Sequence, residues 1–277
     1  LVLQALTLGI EVARDTIVDS LVGLLHPAAI IERSDVDVRQ KEGLPETSGL
    51  LYGEAPDGPV SFIEHGVTYL VDLLGGHKTG FYLDQKDSRA WIRRSPLLRG
   101  QTVLNGFSFT GSFSLCAALA GAERITNVDT SQPALDLARK MAQANGLEAG
   151  CFEDVNGDVF AVLRRYRDEG RRFGVVILDP PKFAHNAGQV ERAARGYKDI
   201  NMLALELLEP GGLLLTFSCS GHIDPDLFQK IVFGAAVDAG VQAQIIARFS
   251  QPADHPVLLS FPEGQYLKGL ACRVCEF

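Results

Sequence analysis

The chain has 277 residues, of which 46% are hydrophobic, and a formal net charge of −8. No stretch approaches the roughly 20 apolar residues that a membrane-spanning helix needs, and the acidic balance is unlike that of a dedicated duplex-binding protein. Five scattered cysteines argue against a disulfide framework. Cys272 and Cys275 form a CxxC without a second Cys or His pair. We therefore predict a cytoplasmic protein with a sizeable core, without membrane association or a metal site.

The first part of the chain has the pattern of a small α+β domain. Residues 11–26 carry apolar side chains at helical spacing, and "AAIIERSD" (28–35) has the composition of a strand. "PVSFIEHGVTYLVDLL" (59–74) contains two alternating runs around a Glu-His-Gly turn, which predicts a β-hairpin. A Gly-rich polar segment follows from residue 75. We place a domain boundary there and predict that residues 1–75 form a small α+β domain.

From residue 100 the chain alternates between strand and helix patterns. This rhythm is typical of a doubly wound, mostly parallel sheet. The last two strands are joined without a helix, so we expect the final strand to be antiparallel. The predicted strands are 101–105, 124–129, 151–155, 173–179, 212–218, 241–249 and 266–277. Residues 76–277 are therefore predicted to form one Rossmann-like seven-stranded α/β domain.

Ligands of such sheets bind beyond the carboxyl ends of the strands. The loop after the first strand, "NGFSFTGSF" (105–113), contains glycines that allow its backbone to approach a ligand closely. Phe107 and Phe109, however, would occupy the space that a pyrophosphate needs. Asp129 ends the second strand and suits ribose hydroxyls, with Ser131 as a helix cap. Asp158 follows the third strand as an acceptor for an adenine amino group, as a helix cap, or as both. These features favour S-adenosylmethionine over a dinucleotide.

Two further strand ends carry chemistry. "ILDPPKF" (177–183) has Asp179 before two prolines, which impose a rigid exit from the sheet. The next strand, "LLLTFS", ends at Cys219. Because these strands are neighbours in the usual methyltransferase order, we expect Asp179 and Cys219 to face one crevice. Cys219 has two interpretations, a buried structural thiol or a nucleophile.

Seven motifs in order resemble the RlmI-type large-subunit (23S) ribosomal RNA 5-methylcytosine methyltransferases: "HKTGFYLDQKDSR", "VLNGFSFTGSFSL", "VDTSQPALDLAR", "NGDVF", "VVILDPPKF", "FSCSGH" and "DHPVLLSFPEGQYLKG". The resemblance implies S-adenosylmethionine as cofactor, with contacts from Phe107, Thr110, Gly111, Asp129, Asp158 and Asp179. It also implies an entrance motif with Lys78, Gly80 and Phe81. Members begin with an RNA-binding PUA domain, which we expect to be absent from this chain, and continue with a small hairpin-bearing central domain. Residues 1–75 correspond to that central domain, for which the resemblance implies a contact with RNA. Gly106, Ser112 and Gly174 depart from the family pattern.

By this resemblance the chain methylates carbon 5 of a cytosine in large-subunit ribosomal RNA. Cys219 is then the covalent nucleophile, and Asp179 holds the edge of the base. A thiolate needs a positive neighbour or a helix N-terminus, and the sequence offers Lys182 or the helix beginning near Asp224.

A pocket for the base is predicted from Lys182, Phe183, His255 and Glu263, although His255 also fits a solvated turn. Two alternatives remain open: a purine N-methyltransferase acting on RNA, and a non-catalytic module that binds S-adenosylmethionine or RNA. The predicted partner is ribosomal RNA, with a homodimer as an open option.

Overall fold

The computed structural model describes residues 1–76, 79–184 and 186–275. Two compact units are distinguished, one of Leu1–Ile63 with Thr68–Leu83 and one of Glu64–Val67 with Asp84–Phe277. The division of the chain after residue 75, and the RNA contact assigned to residues 1–75, stay predictions.

The first unit contains two short helices and two small sheets. Its helices are α1 (Leu8–Val12) and α2 (Arg14–Leu25). One sheet has the order β1-β2-β3, formed by Val2–Leu3, Ala29–Ser34 and Thr47–Gly53. The predicted hairpin is formed by β4 (Val60–Glu64) and β5 (Val67–Val71), and the residues around its turn, Glu64–Val67, are counted with the second unit. His65 and Gly66 both have positive φ angles at its turn, as tight hairpin turns require.

The second unit carries the predicted alternation of strands and helices. After α3 (Lys86–Arg94), every strand from β6 to β10 is followed by a helix, as the periodicity of the sequence predicts. The strands are β6 Thr102–Gly106, β7 Arg124–Asp129, β8 Phe152–Asn156, β9 Phe173–Leu178, β10 Leu208–Ser218, β11 Ala243–Ser250 and β12 Lys268–Val274. The helices are α4 Ser112–Leu119, α5 Gln132–Ala144, α6 Val159–Asp168, α7 Val190–Leu207 and α8 Pro225–Asp238.

These seven strands form one sheet in the order β11-β12-β10-β9-β6-β7-β8. The pairings from β10 to β8 are parallel, whereas β12 runs antiparallel to both of its neighbours. The strand order reverses between β6 and β9, which is the topological switch point where ligands of such sheets bind. The Rossmann-like fold class and the antiparallel last strand are therefore confirmed.

The core lies on both faces of the central strands. All six residues of β9 are buried, which explains its continuous apolar sequence "FGVVIL". The face covered by α6, α7 and α8 holds a cluster that includes Leu104, Val176 and Leu214. On the other face Phe217 packs against Phe113 and Phe249, with ring centroids 5.3 and 5.4 Å away. Among the described residues, no helix is both long and apolar enough to cross a membrane.

Candidate functional site

The loop after β6 has an unusual backbone at the switch point. Phe107 and Phe109 have φ angles of 59° and 47°, a left-handed conformation that is rare for bulky residues and costs on the order of 1–3 kcal/mol each. Such strain is retained where the surrounding structure fixes the loop, most often at ligand sites. Thr110 is buried in the same loop. Gly111 has a φ of 72°, and a Cβ there would lie 2.9 Å from Cβ of Ala138.

Asp129 ties this loop to the end of β7. One carboxylate oxygen accepts a hydrogen bond from the backbone N–H of Phe109 at 2.8 Å, and the other accepts from the N–H of Ser131 at 2.9 Å. Each oxygen keeps a further lone pair for a hydroxyl of a ligand. Ser131 is the N-cap of α5, as predicted, and accepts from Ala134 N–H at 3.3 Å.

Asp158 is the N-cap of α6 and accepts from the N–H of Ala161 at 2.9 Å. Its side chain remains exposed, so capping leaves its second oxygen available for a donor such as an adenine amino group. In the same region, Ser108 Oγ is buried without a hydrogen-bond partner among the described residues. A strained loop, a carboxylate after β7 and another after β8 together fit a nucleoside.

Asp179 follows β9 directly and is held by a residue from the start of the unit. Gln85, which is 4% exposed, donates from Nε2 to Oδ2 of Asp179 over 3.1 Å. The hydrogen bond spans 94 positions of the chain. It restricts the rotation of the carboxylate at the sheet edge, while Pro180 and Pro181 fix the backbone that follows.

Cys219 lies one residue beyond β10, in a turn that its two flanking serines hold. Ser218 donates to the hydroxyl of Tyr197 at 2.9 Å, and that hydroxyl shares a 3.0 Å hydrogen bond with Ser220. Ser220 also accepts from the backbone N–H of Ala184 at 3.3 Å. Both serines and Tyr197 are fully buried, whereas Cys219 is half-buried. The serines therefore point into the protein and leave the thiol at the surface of the turn.

β9 and β10 are adjacent and parallel, with Leu178 opposite Thr216. Their carboxyl ends therefore lie at the same edge of the sheet, and the residues that follow them include Asp179 and Cys219. Cys272 in the last strand differs from Cys219: it is buried in β12, and burial raises the pKa of its thiol to about 11. Within the described part of the chain, no three His, Cys, Asp or Glu side chains are grouped as metal ligands.

The comparison with known families agrees with this geometry. The sequence model of the family described as S-adenosylmethionine-dependent methyltransferase matches residues 24–261. The chain belongs to this methyltransferase family. S-adenosylmethionine is thus its cofactor, as the sequence predicts, and the residues at the switch point fit a nucleoside of that kind.

Relatives of this methyltransferase carry a more specific name. A protein of Klebsiella pneumoniae, 54% identical over 273 residues covering 99% of this chain and 68% of the relative, is named ribosomal RNA large subunit methyltransferase I. The family resemblance of the seven motifs is thereby confirmed. Among solved structures, SMU.776, a methyltransferase complexed with SAH, has a TM-score of 0.82 at 26% identity and covers 96% of this chain and 67% of its own. A methyltransferase from Streptococcus mutans gives the same TM-score at 25% identity, covering 96% and 66%.

The strained loop after β6 gives a first prediction. We expect Gly111→Ala to weaken S-adenosylmethionine binding by about tenfold, because a left-handed alanine costs on the order of 1–3 kcal/mol and its Cβ meets Ala138. Isothermal titration measures the affinity. The matched control is Gly150→Ala, where an added Cβ meets nothing within 4 Å. Equal affinities of the two variants would contradict the assignment of this loop.

The hydroxyl network under Cys219 gives a second prediction. Tyr197→Phe leaves two buried serines without their shared partner, and we expect the free energy of unfolding to fall by about 1–3 kcal/mol. Urea titration measures it. As control, Tyr166→Phe removes another buried hydroxyl, one without a hydrogen-bond partner among the described residues, and should cost less than about 0.5 kcal/mol. An equal loss in both variants would mean that the network does not support the turn.

The residues predicted for the base pocket make two separate sets of contacts. Lys182 and Phe183 line a cavity of about 390 Å³ together with Phe160 and Arg192. The Phe183 ring lies 4.6 Å from the ring of Tyr197. A cavity with aromatic faces and two cations fits a nucleotide, and contact with the substrate there stays a prediction. Tyr197 itself is buried in α7.

The other two residues lie in the loop before β12. His255 Nδ1 is 3.1 Å from a carboxylate oxygen of Asp254, and Asp254 also pairs with Lys86. Glu263 is exposed in a short 3₁₀ turn. Their part in a base pocket stays a prediction as well.

The entrance motif is described in part. Lys78 lies outside the described residues. Gly80 has a φ of 92°, and a Cβ there would lie 2.6 Å from the carbonyl oxygen of Asp72. Phe81 is buried against Phe62 and Tyr69, with centroids 5.0 and 5.1 Å away. The ring of Phe81 thus packs within the first unit, and cofactor contact by this motif stays a prediction.

Sequence reasoning missed two polar residues beside the site, Gln85 and Lys268. Both lie in motifs that carry the family resemblance, "LDQKDSR" and "GQYLKG". Each is a polar residue within a segment whose neighbours are buried, which could have indicated a structural role. Their hydrogen-bond partners could not be predicted, because they lie 94 and 48 positions away along the chain.

Proposed function

We propose that this methyltransferase transfers a methyl group to carbon 5 of a cytosine in large-subunit ribosomal RNA, with Cys219 as the covalent nucleophile. The name of the Klebsiella relative supports ribosomal RNA as the substrate. The observation that carries the reaction type is the turn after β10. Its serines are buried while Cys219 remains half-buried, and Asp179 follows the neighbouring strand β9. A structural thiol would need no such support.

The chemistry follows from the reactivity of the pyrimidine ring. Carbon 5 is a poor nucleophile, and addition of the Cys219 thiolate to carbon 6 makes carbon 5 enamine-like. S-adenosylmethionine, when bound, would supply a methyl group on a positively charged sulfur; the bond from carbon 5 to that methyl group forms as the sulfur–methyl bond breaks, and the neutral thioether S-adenosylhomocysteine is the leaving group. Loss of the carbon 5 proton to water then re-forms the ring double bond and expels the thiolate, so that Cys219 is regenerated.

Asp179 has the role of holding and protonating the base. During thiolate addition, negative charge moves to the N3 edge of the ring, where a carboxylic acid donates its proton and regains it on elimination. The hydrogen bond from Gln85 to Oδ2 orients the carboxyl group of Asp179 for this role. Asp129 and Asp158 would hold the ribose and adenine of the cofactor, and the strained loop would hold its methionine portion.

The identity of the methylated nucleoside tests this function. The protein is incubated with S-adenosylmethionine labelled in its methyl group and with ribosomal RNA from cells that lack the enzyme, and the RNA is digested to nucleosides. We expect the label in 5-methylcytidine of the large-subunit RNA. Label on a purine amine would favour an N-methyltransferase, for which Asp-Pro-Pro is also suited, and Cys219 would then have no role. No label in any RNA despite cofactor binding would favour a non-catalytic binding module.

A further inference from the structure

A buried lysine lies beneath the turn that carries Cys219. Lys268 is the first residue of β12 and is opposite Ser218, the last residue of β10. Its side chain is only 5% exposed. The ammonium nitrogen donates to the backbone carbonyls of Ser220 and Ile223, both at 2.6 Å. The positive charge is therefore bound to the two ends of the short segment that follows Cys219.

Among the described residues, no carboxylate forms an ion pair with the ammonium group of Lys268. The lysine ion pairs of the described chain are those of Lys86, Lys198 and Lys230. Lys268 uses two of its three N–H donors on carbonyls. A buried cation without a paired anion is costly, because burial removes the solvation of the charge. Such a cation is retained where a negative charge forms beside it.

The charge of Lys268 interacts with Cys219. Burial lowers the pKa of Lys268 to about 8, and a thiolate at Cys219 acts in the opposite direction, favouring the ammonium form. Electrostatic coupling of two sites is reciprocal, so the ammonium stabilises the thiolate equally. At pH 7 the amine is mostly protonated, so the charge is present when the nucleophile is needed.

We propose that Lys268 is the positioning residue that holds Cys219 as a thiolate for its attack on the base. This inference rests on the proposed role of Cys219. It replaces the two stabilisers that the sequence offered, because Lys182 is exposed and screened by water. The N-terminus of α8 is capped by the carboxylate of Asp224, which accepts from Leu227 N–H at 2.8 Å and offsets the positive end of the helix.

Other titratable groups surround this pair. Asp224 favours the charged form of Lys268 and Lys182 disfavours it. Tyr197 of α7 and Tyr266 before β12 also interact with Cys219, and burial raises the pKa of both phenols, so they remain neutral. Tyr266 donates to Asp84 at 2.7 Å. Among these groups, Lys268 combines a positive charge with burial.

The rate of alkylation of Cys219 as a function of pH tests the proposal without any methyl transfer. Full-length protein is treated with iodoacetamide between pH 5.5 and 9.5, and peptide mass spectrometry quantifies modification of Cys219. We expect Lys268→Met to be alkylated about tenfold more slowly than wild type at pH 6.5, since each unit in a thiol pKa is tenfold in thiolate. Lys268→Arg should restore the wild-type profile. Lys230→Met, which removes an exposed lysine, is the matched control.

A profile of Lys268→Met equal to that of wild type would overturn the proposal. A second measurement does not depend on the folding of that variant: the pKa of the Lys268 amine is followed by NMR in wild type and in Cys219→Ser. Loss of the thiolate should lower the pKa of Lys268 further, and an unchanged value would also overturn the proposal. If methyl transfer survives in Cys219→Ala, the proposed function fails, while the alkylation profile still reports on the coupling of Lys268 with Cys219.

The charge of Lys268 also predicts the pH dependence of methyl transfer. Because the ammonium stabilises the thiolate, we expect the acid limb of kcat, which reports formation of the thiolate, to lie about one pH unit higher in Lys268→Met than in wild type. In Lys268→Arg the guanidinium stays charged, so its acid limb should coincide with that of wild type. Single-turnover rates between about pH 5.5 and 9 measure the profile, and coincident acid limbs of wild type and Lys268→Met would contradict the assignment.

Discussion

Replacing Cys219 by alanine is expected to reduce methyl transfer by on the order of 10³-fold or more, because the covalent route to an activated carbon 5 is lost. Binding of S-adenosylmethionine should stay unchanged, since the strained loop and Asp129 lie on other strands of the sheet. Single-turnover transfer of labelled methyl groups to ribosomal RNA measures the rate. Titration calorimetry of the same protein measures the affinity.

The control for this change is Cys151→Ala, which removes another half-buried thiol, in the turn before β8. It should retain the wild-type rate. Cys219→Ser is a stricter variant, since a hydroxyl of similar size keeps the packing but not the thiolate chemistry. Full activity of Cys219→Ala would show that the thiol is structural, as free cysteines at strand ends often are.

Asp179→Asn is expected to lower kcat by about 10²–10⁴-fold, the range for loss of a positioned acid or base. The amide has the shape of the carboxyl group, but it can neither give up nor regain a proton at N3. The effect should appear in kcat more than in KM, because the interaction strengthens as charge develops on the ring. Multiple-turnover kinetics separate the two quantities.

Asp168→Asn is the matched control for Asp179. It removes an exposed carboxylate at the end of α6 that pairs with the neighbouring Arg167, and it should leave kcat unchanged. A loss seen mainly as a raised KM in Asp179→Asn would instead assign the carboxylate to binding of the RNA or the cofactor.

The fold could be predicted because each strand of the parallel sheet is a short apolar run followed by a helix of regular periodicity. β9 is the clearest example, since all of its residues are buried. The ends of these strands could be predicted as well, because a polar residue or a cysteine directly follows each buried run: Asp129, Asp179 and Cys219. Local sequence therefore predicts both the sheet and the edge where its ligands bind.

The support of the site could not be predicted, because it depends on contacts between distant segments. Gln85 bonds a carboxylate 94 residues away, and Lys268 bonds a carbonyl 48 residues away. The sequence gives no indication that a lysine at the start of β12 points under the turn of β10 rather than to solvent. The burial of the Ser218 and Ser220 hydroxyls could not be predicted either, because serines beside a cysteine are also typical of an exposed polar turn.

The covalent adduct between the enzyme and its RNA tests the central claim most directly. Ribosomal RNA containing 5-fluorocytidine in place of cytidine is incubated with the protein and S-adenosylmethionine, and the fluorine at carbon 5 prevents the proton loss that expels the thiolate. We predict a stable protein–RNA adduct that forms only with the cofactor and maps by mass spectrometry to Cys219. Formation of 5-methylcytidine in normal RNA, but no adduct or one at another residue with the fluorinated RNA, would contradict the account.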